Sequence, residues 1–146
     1  MQAPSDVRTF QARSRLYTGD RGPWFEHLVE DEGMTMEQAS EALAPWEAIP
    51  YIDERRGHMA TLIKHNKEVH LAIYRKFRHR GQVTAKRITE FFKPLLDENI
   101  FLVTKVGKDD DARFIERLGF EQLGVTIDGA IRTYILNELR MPRTRQ

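Results

Sequence analysis

The sequence predicts an α/β (α+β) fold, a sheet with helices packed against it, and three observations carry that reading. HMATLIKH (58–65) and EVHLAIYR (68–75) read as two strands joined by the short turn Asn66–Lys67. Residues 83–97 set Val83, Ala85, Ile88, Phe91, Phe92, Leu95 and Leu96 along one helical stripe, and IFLVTKV (100–106) follows as the continuous apolar run of a buried central strand. EQLGVTI and AIRTYIL then flank Asp128–Gly129, a hairpin signal. With a short helix at 109–118, the order from residue 58 is β-β-α-β-α-β-β.

Residues 1–22 read as an extended arm with a short strand at Val7–Gln11 and a turn around Gly19–Pro23. Pro23 suits the first position of a helix, and Trp24, Phe25, Leu28 and Val29 are spaced along one face of it. Thr35 followed by Gln38 is a capping box, opening a helix to about Ala44. Pro45 and Pro50 are expected to break regular structure and leave Trp46 and Tyr51 in an irregular link. Pro94 falls inside the 83–97 stripe and is expected to kink its last turn. Asp109, Asp110 and Asp111 favour the positive end of the 109–118 helix, which Gly119 stops.

Composition excludes several classes. A chain of 146 residues, 40% hydrophobic and 10% aromatic, is long and apolar enough to bury a core, and 1–146 is expected to form a single domain ending in a basic tail at 138–146. The formal net charge of +1 provides no global field toward nucleic acid, although residues 26–37 are acidic while 75–93 and 140–145 are basic. With no cysteine, disulfides and thiolate metal sites are excluded. No apolar run approaches the roughly 18 residues that span a bilayer, and the N-terminus lacks the apolar core of a secretory signal, so a soluble protein away from membranes is expected. The polar, Arg-bearing ends are expected to be held by neighbouring chains, either copies in a homo-oligomer or other proteins of a larger assembly.

The densest chemistry lies in YRKFRHRGQVTAKR (74–87), between a strand and a helix. A glycine there lets the backbone approach a ligand, and the free N–H groups of a helix start point at anions. Lys76, Arg78 and Arg80 add charge, so the stretch from Arg78 to Val83 has the physical means to hold a pyrophosphate. A solvated basic connection is the alternative. Nucleic acid is a further candidate for the Arg75–Lys93 segment but is not favoured, because stacking wants exposed aromatics among the charges and the helix phenylalanines belong to the apolar stripe. The five histidines, 27, 58, 65, 70 and 79, lack the close pairing on one helix face that a metal site shows, and no metal is expected. Glu68 and His70 project to one face of their strand, as a general-base pair or as surface residues of a hairpin. Tyr134 in the last strand and Trp24, Phe25 and Trp46 near the N-terminus are read first as packing residues.

The segment Ile73-Tyr74-Arg75-Lys76-Phe77-Arg78-His79-Arg80-Gly81-Gln82-Val83 resembles the GNAT (Gcn5-related N-acetyltransferase) signature Arg/Gln-x-x-Gly-x-Gly/Ala, and ARFIERLGFEQLG resembles the family's Tyr-x-x-x-Gly-Phe segment. The resemblance covers about residues 58–137. It implies a mixed, mostly antiparallel central sheet flanked by helices and ending in a β-hairpin. It implies that Ile73, Arg75, Arg78, Arg80, Gly81, Gln82 and Val83 border the pyrophosphate of acetyl-CoA, with Glu68 or His70 as base when the substrate amine attacks the thioester.

Three positions depart from the family pattern. Val83 stands where a small residue is expected, Ile115 where many members have a tyrosine that protonates the leaving thiolate, and Lys108 where an asparagine often contacts the cofactor. An aliphatic side chain cannot transfer a proton. With an aliphatic residue at that position, RFIERLGF looks more like small GNAT-like proteins of tailed bacteriophages, some of them virion components. Two readings follow. The first is a non-catalytic GNAT-fold protein built into an assembly, located in the virion or host cytoplasm. The second is an active acetyl-CoA-dependent N-acetyltransferase.

Overall fold

The computed structural model describes residues 17–78, 84–99 and 101–137. The expected strand at Val7–Gln11, the loop residues 79–83 and the tail 138–146 lie outside them. The described elements are α1 (Gly22–Glu26), α2 (Met36–Leu43), β1 (Glu47–Asp53), β2 (Gly57–His65), β3 (Glu68–Ile73), α3 (Ala85–Glu98), β4 (Phe101–Val106), α4 (Asp109–Arg117), β5 (Glu121–Val125) and β6 (Arg132–Asn137). The strands form one six-stranded sheet in the order β1-β2-β3-β4-β6-β5. β3 runs parallel to β4, while β4 and β5 are each antiparallel to β6. The mixed, mostly antiparallel sheet with flanking helices and a C-terminal hairpin is the architecture expected from the sequence.

Of the described residues, 17–63 and 71–78 make one compact unit, and 64–70, 84–99 and 101–137 make another. In the first, Pro23 occupies the opening turn of α1, which continues as one π-helical turn over His27–Asp31. α2 opens on a complete capping box: Gln38 N–H donates to Thr35 Oγ1 at 3.0 Å, and Thr35 N–H donates back to Gln38 Oε1 at 2.9 Å. Its Ala39 and Leu43 join Met59, Ala60, Leu62 and Ile63 of β2 in the core. Residues 59–63 are buried at every position, so both faces of that stretch are covered.

The expected irregular link at Pro45–Tyr51 is corrected in part: Glu47–Asp53 is a strand, with Pro50 and Tyr51 inside it. β1 lies at the edge of the sheet, where a residue with no N–H to donate is tolerated.

The second unit is organised around α3. Ile88, Phe92, Leu95 and Leu96 are its buried face, and the Phe92 ring meets Phe120 edge-on at 5.9 Å between centroids. The helix starts at the Thr84 cap and runs past Pro94 to Glu98, so the proline removes one donor from the ladder without ending it. β4 alternates rather than being buried throughout: Leu102 and Thr104 are covered, and Lys105 is exposed. Six of its residues pair with β6, from Phe101↔Asn137 to Val106↔Arg132, whereas the registered parallel pair with β3 is Glu68↔Val103. Gly119, at φ 104°, terminates the chain segment of α4, and Gly129, at φ 74°, makes the β5–β6 turn. Most of the exposed large apolar side chains belong to this hairpin region: Leu123, Val125, Ile127 and Ile131.

Candidate functional site

Two clusters hold the described residues singled out in the sequence. The first is in the unit of residues 64–70, 84–99 and 101–137. Period-two alternation puts Glu68 and His70 on one face of β3, and their side chains meet, His70 Nε2 lying 2.6 Å from Glu68 Oε2. A carboxylate only accepts, so the ring donates through Nε2–H here and its Nδ1 points the other way. Nδ1 faces Thr104 Oγ1 of β4 at 3.5 Å, and Lys105 Nζ stands 3.9 Å from Glu68 Oε1. Both members of the pair are half-buried, with side chains 24% and 29% exposed. An imidazole oriented by a carboxylate in this way has the chemistry of a general base.

The second cluster lies in the other unit, where β3 ends and the segment toward the loop begins. Tyr74 caps a 3-10 turn over Arg75–Phe77. Its hydroxyl donates to the Tyr17 carbonyl, and its ring meets His58 edge-on at 5.4 Å. Arg75 donates through Nη2 to Asp31 Oδ1, and its backbone N–H donates to Glu26 Oε1 at 2.7 Å. Arg78 donates Nε–H to the Ile73 carbonyl at 2.8 Å and brings Nη1 to 3.3 Å from Asp31 Oδ2. His27 Nδ1 adds a contact to the same oxygen at 2.9 Å. Burial pushes the Asp31 carboxyl up, but the hydrogen bonds from Arg75 and His27 and the charges of Arg78 and Arg75 outweigh it and hold it at about 2.

The structure thus joins Glu68 to His70, and Arg75 and Arg78 to each other through Asp31, while Ile73 contributes a carbonyl to Arg78. Arg80, Gly81, Gln82 and Val83 lie outside the described residues. Asp31, Thr104 and Lys105 are additions that the sequence did not single out, and His27, weighed there only as a metal ligand, joins the Asp31 cluster. A charge signal existed for Asp31, since it sits in the acidic stretch 26–37 that complements the basic one after residue 74.

Of the remaining candidates, Tyr134 and Trp24 pack, while Asp109 forms an exposed ion pair. Tyr134 is fully buried, opposite Thr104 in the β4–β6 register. Trp24 donates Nε1–H to the Thr61 carbonyl at 2.8 Å, and Asp109 pairs with Arg132 at 2.6 Å. Among the described residues, no group of three or more His, Cys, Asp or Glu side chains is arranged to hold a metal ion, and no helix is long and apolar enough to cross a membrane.

An acetyltransferase from Agrobacterium tumefaciens superposes over 80% of this chain and 84% of its own with a TM-score of 0.57 at 13% identity. A variant of spermidine N-acetyltransferase from Vibrio cholerae does so over 82% and 92% at 0.55 and 10% identity. A Bordetella pertussis protein assigned to the GnaT-family acetyltransferases gives 0.55 and 17% identity over 77% and 86%. The chain has the GNAT fold. No protein-family model and no curated protein matches the sequence, so the likeness is one of architecture. α3 follows β3 in chain order, and Ile115 and Lys108 belong to α4 and its N-cap.

Proposed function

We propose that this protein is a non-catalytic GNAT-fold component of a protein assembly, of the kind built into a phage virion. The observation that carries the reading is the state of the two described arginines leading into the loop. Arg75 and Arg78 both direct their charge to Asp31, so neither is held ready for a cofactor pyrophosphate. Val83, Ile115 and Lys108 support the same reading, since each departs from the residue the GNAT pattern would use. The exposed Leu123, Val125, Ile127 and Ile131 offer an apolar surface for a neighbouring chain, a second copy or another protein of the assembly.

The Glu68–His70 hydrogen bond favours a second reading, an acetyl-CoA-dependent N-acetyltransferase. In that reading His70, oriented by Glu68, takes the proton from the attacking amine. Acetyl-CoA would lie along the segment from Ile73 to Val83 and supply the acyl group.

One experiment separates the two. Thermal unfolding is followed with acetyl-CoA raised to about ten times a millimolar-range Kd, alongside light scattering of the free protein. A bound ligand stabilises by mass action, about 1.4 kcal/mol at ten times Kd. The proposal expects no shift and a defined oligomer or particle-bound state. A clear shift with turnover of an amine establishes the enzyme, and a strict monomer with no partner removes the assembly role.

A further inference from the structure

Asp31 is surrounded as an external anion would be. Its Oδ1 takes the Arg75 guanidinium, and its Oδ2 takes Arg78 at 3.3 Å and His27 at 2.9 Å. The Arg78 guanidinium is oriented independently by its Nε–H bond to the Ile73 carbonyl, so its outer nitrogens are aimed before any anion arrives. Two guanidinium groups and an imidazole around two oxygens are a donor set that suits a phosphoryl group as well as a carboxylate. Three more carboxylates stand near. Glu26 accepts the Arg75 backbone N–H, Glu30 accepts the Tyr17 hydroxyl at 3.0 Å, and Glu32 lies 3.4 Å from His27 Nε2.

We propose that Arg75, Arg78 and His27 form an anion clamp with Asp31 as its built-in occupant, so that the protein's own carboxylate excludes phosphoryl ligands from it. This deepens the non-catalytic reading by assigning the block to one residue. The clamp sits at the surface, with Arg75 50% and Arg78 34% exposed at the side chain, so an incoming anion competes with Asp31 directly. Neutralising Asp31 frees both guanidinium groups and removes one negative charge at contact distance. At a solvent-exposed site that is worth about tenfold in affinity for a multiply charged anion.

The test is calorimetric titration of the full-length protein with inorganic pyrophosphate at low salt, as wild type, Asp31→Asn and Asp31→Ser. Glu37→Gln removes an equal charge from the exposed first turn of α2 and serves as control. Both Asp31 variants should bind pyrophosphate about tenfold or more tightly than wild type and the control. The gain should vanish when Arg75→Ala and Arg78→Ala are added. Asp31 variants no tighter than wild type overturn the proposal. So does a gain that the control shares, or one that survives loss of the two arginines. Acetyl transfer to an amine by the wild type would instead defeat the non-catalytic reading. The wild-type to Asp31→Asn difference in pyrophosphate affinity is read independently of that result.

Discussion

Gly22→Ala tests the packing that anchors the segment before the loop. A Cβ at position 22 would overlap the Tyr74 hydroxyl and stand 2.6 Å from the Tyr17 carbonyl oxygen. These two atoms are hydrogen-bonded to each other, so the alanine must part them. Losing that bond costs about 1 kcal/mol, and forcing a methyl against a carbonyl in a packed site adds about 1–3 kcal/mol. Alanine in place of glycine in a helical turn returns up to about 1 kcal/mol. The net destabilisation is about 2 kcal/mol, or a fall of roughly 4–8 °C in Tm for a chain of this size. Thermal and urea unfolding, followed by far-ultraviolet circular dichroism, would measure it for Gly22→Ala, Tyr74→Phe and the double variant. Tyr74→Phe deletes the overlapped atom, so most of the alanine's cost should disappear in that background, leaving a remainder from the Tyr17 carbonyl. A Gly22→Ala protein as stable as wild type, or an equal cost in both backgrounds, refutes the reasoning.

Burial holds the His58 imidazole below its usual pKa, against the opposing effects of a backbone hydrogen bond at Ala60 and the Asp20 charge. Because the folded value lies below the unfolded one, this group's contribution to stability is full above about pH 6.5 and is lost as the pH falls through the folded value. His58→Gln should flatten the stability–pH curve on the acid side of that point, as read from urea midpoints at a series of pH values; an unchanged slope would assign it to other groups. Thr35→Ala removes the side-chain half of the capping box on α2, leaving the backbone N–H donation to Gln38 Oε1, and should cost about 1 kcal/mol in the same unfolding assay, with little effect if the helix start is held by tertiary packing instead.

Local chemistry is what the sequence displayed most clearly. The Thr35–Gln38 box, the Pro23 helix start and the Asp128–Gly129 turn each depend on residues a few positions apart, and each formed as expected. Glu68 and His70 were also legible, because strand periodicity alone places them on one face. Their other neighbours were not. Thr104 meets His70 across 34 positions, a distance that only the β3–β4 pairing closes. Asp31 reaches Arg75 across 44 positions, and in the sequence it was one carboxylate in an acidic run. β1 was missed for a different reason. Proline argues against a strand wherever both edges must be hydrogen-bonded, and nothing local to Pro50 shows that its strand lies at a sheet edge.

That proline has a further consequence. A sheet has two ends at which another strand can dock, and here they are unequal. Among the described residues, the β1 backbone at one end lacks a donor at position 50, which blunts strand addition; at the other, β5 is the outermost strand, without proline or lysine, and bears the exposed side chains of Leu123 and Val125. Two receptive ends would let copies add indefinitely into a fibre. A single receptive end joins one copy to one other by a two-fold axis and then stops. Any growth by sheet extension is therefore expected at the β5 edge.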